Sequence, residues 1–303
     1  MKTIVILGQT ATGKSELAFR LAKTLNGEII SADSIQIYKY FDVGSAKPSK
    51  TCLKEIKHHL IDIKEPDEDY SAQEFSIQAK QIIQEIKSIG KIPMLCGGTL
   101  FYIDALLNSL DLIPQVDSKI KNFFDSVGNE NVINLYKWLK IIDPKWAQKI
   151  NKNDKQRTIR ALSVFLQTGS SLTNFFNTKK KENFFENCMI FSLQISDNVL
   201  EKRIIHRTTN MLDGLIEETL NIIKMGFAQT KPMQSIGYRQ ALLYINGKIT
   251  KEEMTDSIIK ETKLYAKRQK TYFSSKFKDK SIKVDYKNAF ETIMEYLYQS
   301  HLP

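Results

Sequence analysis

Eight residues near the start of the chain, Gly8-Gln9-Thr10-Ala11-Thr12-Gly13-Lys14-Ser15, have the types and spacing needed to hold a phosphate group. Gly8 and Gly13 let the backbone turn tightly and aim its N–H groups at one point, Lys14 adds a mobile positive charge, and Ser15 offers a hydroxyl to a hard cation such as Mg2+. Ile4-Val5-Ile6-Leu7 before the loop reads as a buried parallel strand. Leu17, Ala18, Leu21, Ala22 and Leu25 after it recur at helical spacing, so the loop opens a helix whose amino terminus adds positive potential. Nucleotide hydrolysis, phosphoryl transfer and displacement of diphosphate all use such a cradle, and residues elsewhere must decide between them.

Two further sets of residues converge on the same edge, and a third lies on a later helix. The strand-like run Glu28-Ile29-Ile30-Ser31 delivers Asp33 to the carboxyl end of the sheet, where a carboxylate could hold Mg2+, accept a proton from a nucleophile or cap the turn that follows. The run Ile92 to Cys96 ends in Gly97-Gly98-Thr99; paired glycines permit close approach of a ligand and Thr99 presents a hydroxyl to it. Arg203 and Arg207 lie four apart on the helix after the fifth strand and share a face, as a functional pair or a solvated basic one.

The elements that position these groups alternate. Strand-like runs at 3–7, 28–31, 59–63, 92–96 and 188–195, with helical patterns between most of them, predict an α/β fold: a P-loop NTPase-like parallel sheet with helices on both faces. Residues 282–284 could add an edge strand. From Pro114 to about Phe185 the pattern is helical with no convincing strand, which predicts an inserted all-helical subdomain at 114–185 within a core of 1–113 and 186–303. The polar stretch 178–183 reads as an exposed connection near its exit. After the fifth strand the periodicity predicts helices from Ser196 to about Leu212, Leu215 to Met225, Tyr238 to Ile245 and Lys251 to Lys276.

The chain has 303 residues and a formal net charge of +10, which favours an acidic partner and suits a polyanion better than a small phosphate. Cys52, Cys96 and Cys188 are widely spaced, so neither a disulfide framework nor a zinc site is expected, and a reduced cytoplasmic setting fits. No apolar run approaches a membrane span and no signal peptide is expected. His58 and His59, beside an apolar run, read as packing groups rather than metal ligands.

Taken together, the phosphate loop, Asp33-Ser34-Ile35-Gln36-Ile37-Tyr38, Val43-Gly44-Ser45-Ala46-Lys47-Pro48 and Gly97-Gly98-Thr99 resemble the tRNA dimethylallyltransferase family. So do His58-His59-Leu60-Ile61-Asp62, Asn153 to Arg157 with Arg160-Ala161-Leu162, Gln234 to Tyr238, and Ala266-Lys267-Arg268-Gln269, in the family's order and nearly end to end. The resemblance implies transfer of a dimethylallyl group from its diphosphate to the exocyclic amine of the adenosine 3′ to a tRNA anticodon. It implies that the loop residues Gly8, Gln9, Thr10, Ala11, Thr12, Gly13, Lys14 and Ser15 bind the diphosphate with Mg2+ on Ser15. It also implies that Arg207 binds the diphosphate, and it suits Asp33, beside Thr99, to the role of taking the amine's proton.

An adenosine inside an anticodon loop must be extruded to react, and the RNA must be gripped around it. For that grip the resemblance implies Asp33, Ser34, Ile35, Gln36, Thr99, Lys121, Gln156, Arg157, Thr158, Ile159, Arg160, Gly237, Tyr238, Arg239, Lys267 and Arg268. Lys263, Lys267 and Lys270 share a helical face, as backbone contact would want. A monomer with no obligate protein partner is expected. The chain departs from the family in Gln9 for proline, Thr12 for serine, Lys263 for arginine, and one residue fewer between Met211 and Gly214.

Three rival readings share parts of this pattern. A small-molecule P-loop kinase would use the cradle with Asp33 or Asp62 on Mg2+, but gives no reason for the insertion or the positive charge. An isopentenyltransferase acting on free adenine nucleotides needs no anticodon grip. A nucleotide-dependent RNA-binding switch needs no carboxylate beside the loop.

Overall fold

The computed structural model describes residues 2–108, 113–130, 132–176 and 184–300. Its strands are β1 (Thr3–Leu7), β2 (Gly27–Ser31), β3 (His58–His59), β4 (Ile92–Cys96), β5 (Cys188–Gln194) and β6 (Ile282–Asp285). They form one sheet in the order β3-β2-β4-β1-β5-β6, parallel throughout. The helices are α1 (Lys14–Thr24), α2 (Lys50–Glu55), α3 (Ala72–Ser88), α4 (Leu100–Leu107), α5 (Ser118–Glu130), α6 (Val132–Ile142), α7 (Pro144–Ala147), α8 (Lys155–Thr168), α9 (Asp197–Lys224), α10 (Tyr238–Ile245), α11 (Lys251–Lys276) and α12 (Ala289–Gln299).

Every residue of β1, β2 and β4 is buried, as a parallel sheet covered on both faces requires. Ile4, Ile6, Ile29 and Met94 meet Leu17 and Leu21 of α1 and Ile293 and Leu297 of α12. The alternate residues Val5, Ile30 and Leu95 point to the opposite face, where α3 packs against β2 and β4. Burying a leucine such as Leu21 is worth about 1.5–3 kcal/mol. Capping boxes start the long helices that frame this layer: Ser71 with Glu74 at α3 and Thr250 with Glu253 at α11.

The chain divides into two compact units, Met1–Asn108 with Asn183–Pro303, and Ser109–Glu182. The second unit holds α5 to α8 around its own core of Leu135, Leu139, Ile159, Leu162 and Val164. Its bounds differ by five and three residues from the 114–185 expected of the insertion. The polar connection at 178–183 lies outside the described residues.

Two elements differ from the sequence-based expectation. The third strand spans 58–59 rather than 59–63, because Leu60 (φ 61°) and Asp62 (φ 55°) turn the chain and the Asp62 N–H donates to the Gln36 carbonyl. The two helices expected at 196–212 and 215–225 are one, α9, which runs unbroken through Gly214. A Cβ at Gly214 would make only an ordinary contact, 3.4 Å from a Val43 methyl, and a single glycine costs a helix that continues on both sides about 1 kcal/mol. Residues 211–214 all lie within this continuous helix. Among the described residues, no helix is long and apolar enough to cross a membrane.

Where β2 and β4 end, their backbones nearly touch. The Ala32 N–H donates to the Cys96 carbonyl at 2.8 Å and the Thr99 N–H to the Ala32 carbonyl at 3.0 Å, and a Cβ on Gly97 would lie 2.1 Å from that Ala32 oxygen. Only glycine fits, so the turn carrying Asp33 is held against the turn carrying Thr99. Gly97→Ala is expected to cost about 3 kcal/mol, the upper end of overpacking penalties, read as a lowered urea midpoint. A change below about 0.5 kcal/mol would contradict this account of the crossing.

Candidate active site

The loop between β1 and α1 takes the shape its glycines allow. Ala11 (φ 61°) and Gly13 (φ 95°) are left-handed, which turns successive N–H groups toward a common centre at the amino terminus of α1. Thr12 Oγ1 and Lys14 Nζ both donate to the Gln9 carbonyl, at 2.8 and 2.6 Å. The departures Gln9 and Thr12 are thus used: Thr12 closes the loop, and Gln9 Nε2 donates to the Ala266 carbonyl of α11 at 3.1 Å.

The first turns of α9 bring both arginines to this loop. Arg203 Nη1 donates to the Thr12 carbonyl at 3.1 Å and its guanidinium lies over the Tyr286 ring. Arg207 Nη1 donates to Thr10 Oγ1 at 3.1 Å, while its buried Nε finds no acceptor in the protein. Such an orphaned cationic donor fits an anion.

Asp33 meets one of the alternatives left open by the sequence. Its Oδ1 accepts from the N–H groups of Ile35 (2.9 Å) and Gln36 (3.4 Å), which caps the turn. A Cβ on Gly98 would stand 3.4 Å from Oδ2, so that oxygen reaches the Gly98 edge of the cleft. Thr99 Oγ1 accepts from the Ser34 N–H at 2.9 Å and donates to Ser34 Oγ at 3.2 Å. A hydroxyl has one donor and two lone pairs, which leaves one lone pair for a substrate. Thr10, Asp33, Thr99, Arg207, Tyr265 and Arg268 line a cleft of about 400 Å³.

Burial shifts the charged groups in opposite senses. It pulls the Lys14 ammonium down to about 8, a fall that Cys96 and Asp33 partly offset and Arg207 deepens. Burial also raises the Asp33 carboxyl above its ordinary range, against the Ile35 and Gln36 N–H groups and the nearby Lys14 and Arg207 charges. It lowers Arg207, with Asp33 opposing. All three shifts are signs of charge withheld from water.

Several residues grouped by sequence as RNA contacts are spent inside the protein. Gln36 is buried; its Oε1 accepts from Ser31 Oγ and its Nε2 donates to the Ser45 and Ala46 carbonyls. Tyr238 is buried with its hydroxyl on Glu218, behind Gly237 (φ 99°) at the start of α10. Thr158 and Ile159 are buried on the inward face of α8. These four are buried and packed or bonded within the protein.

Other members of that group stay at the surface. Ser34, Ile35 and Arg239 line the cleft, with Arg239 paired to Glu261. Gln156 and Arg157 are exposed on α8, Arg157 pairing with Asp154 at 3.0 Å, and Arg160 donates to the Pro114 carbonyl. Lys267, Arg268 and Lys270 are exposed on α11, and Lys263 and Lys270 pair with Glu201 and Asp197 of α9. Lys121 falls on α5, and its side chain is outside the described part of the structure. Asp62 accepts from Lys47 at 2.6 Å, which occupies the carboxylate a kinase reading would place on a metal. His59 pairs with buried Glu28 at 2.7 Å and His58 Nδ1 with the Ile56 carbonyl, the packing roles expected of them.

Sequence reasoning missed Gln269, whose side chain accepts from the Thr10 N–H at 2.7 Å and donates to the Gly98 carbonyl at 2.7 Å. Its place in the Ala266 to Gln269 segment was visible, but nothing local indicated a reach of more than 250 residues.

Residues 36–276 match the IPP transferase family. A tRNA dimethylallyltransferase from Hydrogenobaculum sp. is 42% identical over 277 residues, covering 89% of this chain and 91% of that protein. The crystal structure of the full-length tRNA isopentenylpyrophosphate transferase from Bacillus halodurans has a TM-score of 0.71 at 33% identity and covers 98% of this chain and 96% of its own. A eukaryotic dimethylallyltransferase acting on tRNA has a TM-score of 0.83 at 26% identity, covering 100% of this chain and 80% of its own.

A lowered Lys14 makes anion binding proton-linked. At pH 8 about half of Lys14 is neutral, and a bound anion restores its charge, so binding of inorganic diphosphate should take up about half a proton at this site. At pH 6.5 Lys14 is already charged and this uptake vanishes. Calorimetry in buffers of different ionisation enthalpy measures it; equal uptake at both pH values would contradict a desolvated Lys14.

Proposed function

Since the chain belongs to the IPP transferase family, we infer that it moves the dimethylallyl group of dimethylallyl diphosphate onto the exocyclic N6 amine of the adenosine 3′ to a tRNA anticodon, releasing diphosphate. The observation that carries this reading is the meeting, at one edge of the sheet, of a phosphate loop flanked by Lys14 and Arg207 with a carboxylate, Asp33, raised by burial.

Breaking the allylic carbon–oxygen bond leaves its electron pair on diphosphate, where the loop N–H groups, Lys14 and the unpartnered Nε of Arg207 meet the developing charge. The N6 lone pair forms the carbon–nitrogen bond, and the proton the amine sheds passes to Asp33 Oδ2. The Ile35 and Gln36 N–H groups on Oδ1 fix the plane of that carboxylate. The remaining lone pair of Thr99 Oγ1 accepts from the amine and orients it.

The donor set fits Mg2+. Among the described residues no three acidic, histidine or cysteine side chains cluster as a metal cage, while Ser15 is exposed in the first turn of α1 with a hydroxyl of the right hardness. That suits an ion which keeps several waters and is held mainly through substrate phosphate oxygens. When bound, Mg2+ supplies further neutralising charge to the leaving diphosphate.

On the RNA side, Lys267 and Arg268 of the first unit and Gln156 and Arg157 of the second are the exposed groups we assign to the anticodon arm. Arg268 lies 5.9 Å from the Tyr265 ring centroid, so a cation and an aromatic face sit together where an extruded base would arrive. This reading makes the chain a monomeric enzyme of the cytoplasm, where tRNA is found and its free thiols stay reduced.

Mass spectrometry of an unmodified anticodon stem-loop incubated with the protein, Mg2+ and dimethylallyl diphosphate tests the function. A dimethylallyl mass gain on the RNA and none on adenosine monophosphate is the expected outcome. Gain on the free nucleotide would move the reading to an enzyme of free adenine nucleotides, and ATP turnover without prenylation to a kinase.

A further inference from the structure

The backbone ladder between β1 and β4 ends at Ile6 and Cys96. Beyond it the two turns separate: one becomes the loop that would hold the leaving group, the other the Gly98-Thr99 edge that would hold the amine. The side chain of Gln269 spans that gap. Only 4% exposed, it accepts at Oε1 from the Thr10 N–H and donates from Nε2 to the Gly98 carbonyl, both at 2.7 Å. Its two partners dictate which end is oxygen and which is nitrogen. Tyr265, one helical turn earlier, donates to the same Gly98 carbonyl at 2.8 Å, and Gln9 donates to the Ala266 carbonyl at 3.1 Å. A rigid stretch of α11 is thus fastened at one end to the phosphate loop and at the other to the strand edge.

Resting on the prenyl-transfer reading above, we propose that Gln269 is a positioning residue: by joining Thr10 to Gly98 it sets the distance between the allylic carbon and the attacking amine. Both polar atoms of its amide are engaged within the protein, so substrate affinity does not depend on it. What depends on it is registration. An in-line displacement is steep in distance, and a misplacement near 1 Å costs about 100-fold in rate. A side chain that only filled space would show a different signature, lower stability with unchanged turnover per folded molecule.

Two variants separate these roles. Gln269→Met keeps the length and loses the donor and acceptor, whereas Gln269→Asn keeps the amide but is one methylene too short to reach both partners. Titration with inorganic diphosphate counts the binding-competent sites in each preparation, and kcat is expressed per site. Expected for both variants is a kcat about 100-fold below wild type. KM for RNA and for dimethylallyl diphosphate, and Kd for inorganic diphosphate, should stay within about threefold of wild type. Should Gln269→Met fail to fold, Gln269→Asn carries the test alone. A kcat per site within about threefold of wild type, or a raised KM with kcat unchanged, overturns the inference and leaves the function standing. A wild-type protein that binds diphosphate yet prenylates no RNA overturns the proposed function and this inference with it.

Discussion

Charge withdrawn from water at the carboxyl edge of the sheet is the constraint on which the rest of the structure depends. An ammonium, a guanidinium and a carboxylate are brought together there, and burial moves each toward its neutral form. Isolated, such groups are costly to fold, and the protein spreads the cost over local partners: the Gln9 carbonyl for Lys14, the Thr10 hydroxyl for Arg207, two backbone N–H groups for Asp33. A substrate that brings a diphosphate to the cations and a weakly basic amine to the carboxylate uses the same groups in their charged forms. The architecture serves that meeting. Parallel strands deliver three turns to one edge, Gly97 lets two of them touch, and the unbroken α9 and α11 supply the arginines and the Gln269 joint.

Much of the frame was legible in the sequence because its signals are local. The phosphate loop is a fixed spacing between an apolar run and a helical repeat, and five of the strands lie where the apolar runs predicted, to within a residue. The strand at 58–59 was over-extended because Ile61 and Ile63 look strand-like, while the left-handed turns at Leu60 and Asp62 leave no mark in residue type. Gly214, a poor helix former, falls where a break between two helices was expected, and helical chain on both sides of it carries α9 through.

The site was legible in part for a related reason. The segments mix residues that line the cleft with residues that hold those in place, and a string of letters does not separate them. Asp33 and Thr99 face the cleft, whereas Gln36, Tyr238, Thr158 and Ile159 from the same or similar segments are turned inward and bonded or packed there. Lys263, Lys267 and Lys270 share a helical face by count, yet two of the three are neutralised by α9. A net charge of +10 says that a polyanion is welcome, and only the tertiary pairing says which cations already face a carboxylate.

The central claim is that Asp33 acts as the base beside a cationic leaving-group site, and the pH dependence of kcat/KM for wild type and Asp33→Asn tests it most directly. Because burial raises the Asp33 carboxyl, wild-type kcat/KM should fall as the pH drops through a value above the ordinary carboxylate range. Asn at this position should lower kcat by at least about 100-fold, remove that acid limb, and leave RNA affinity within about threefold. An Asp33→Asn enzyme with near wild-type kcat and the same acid limb would show that the proton goes elsewhere and would contradict the account.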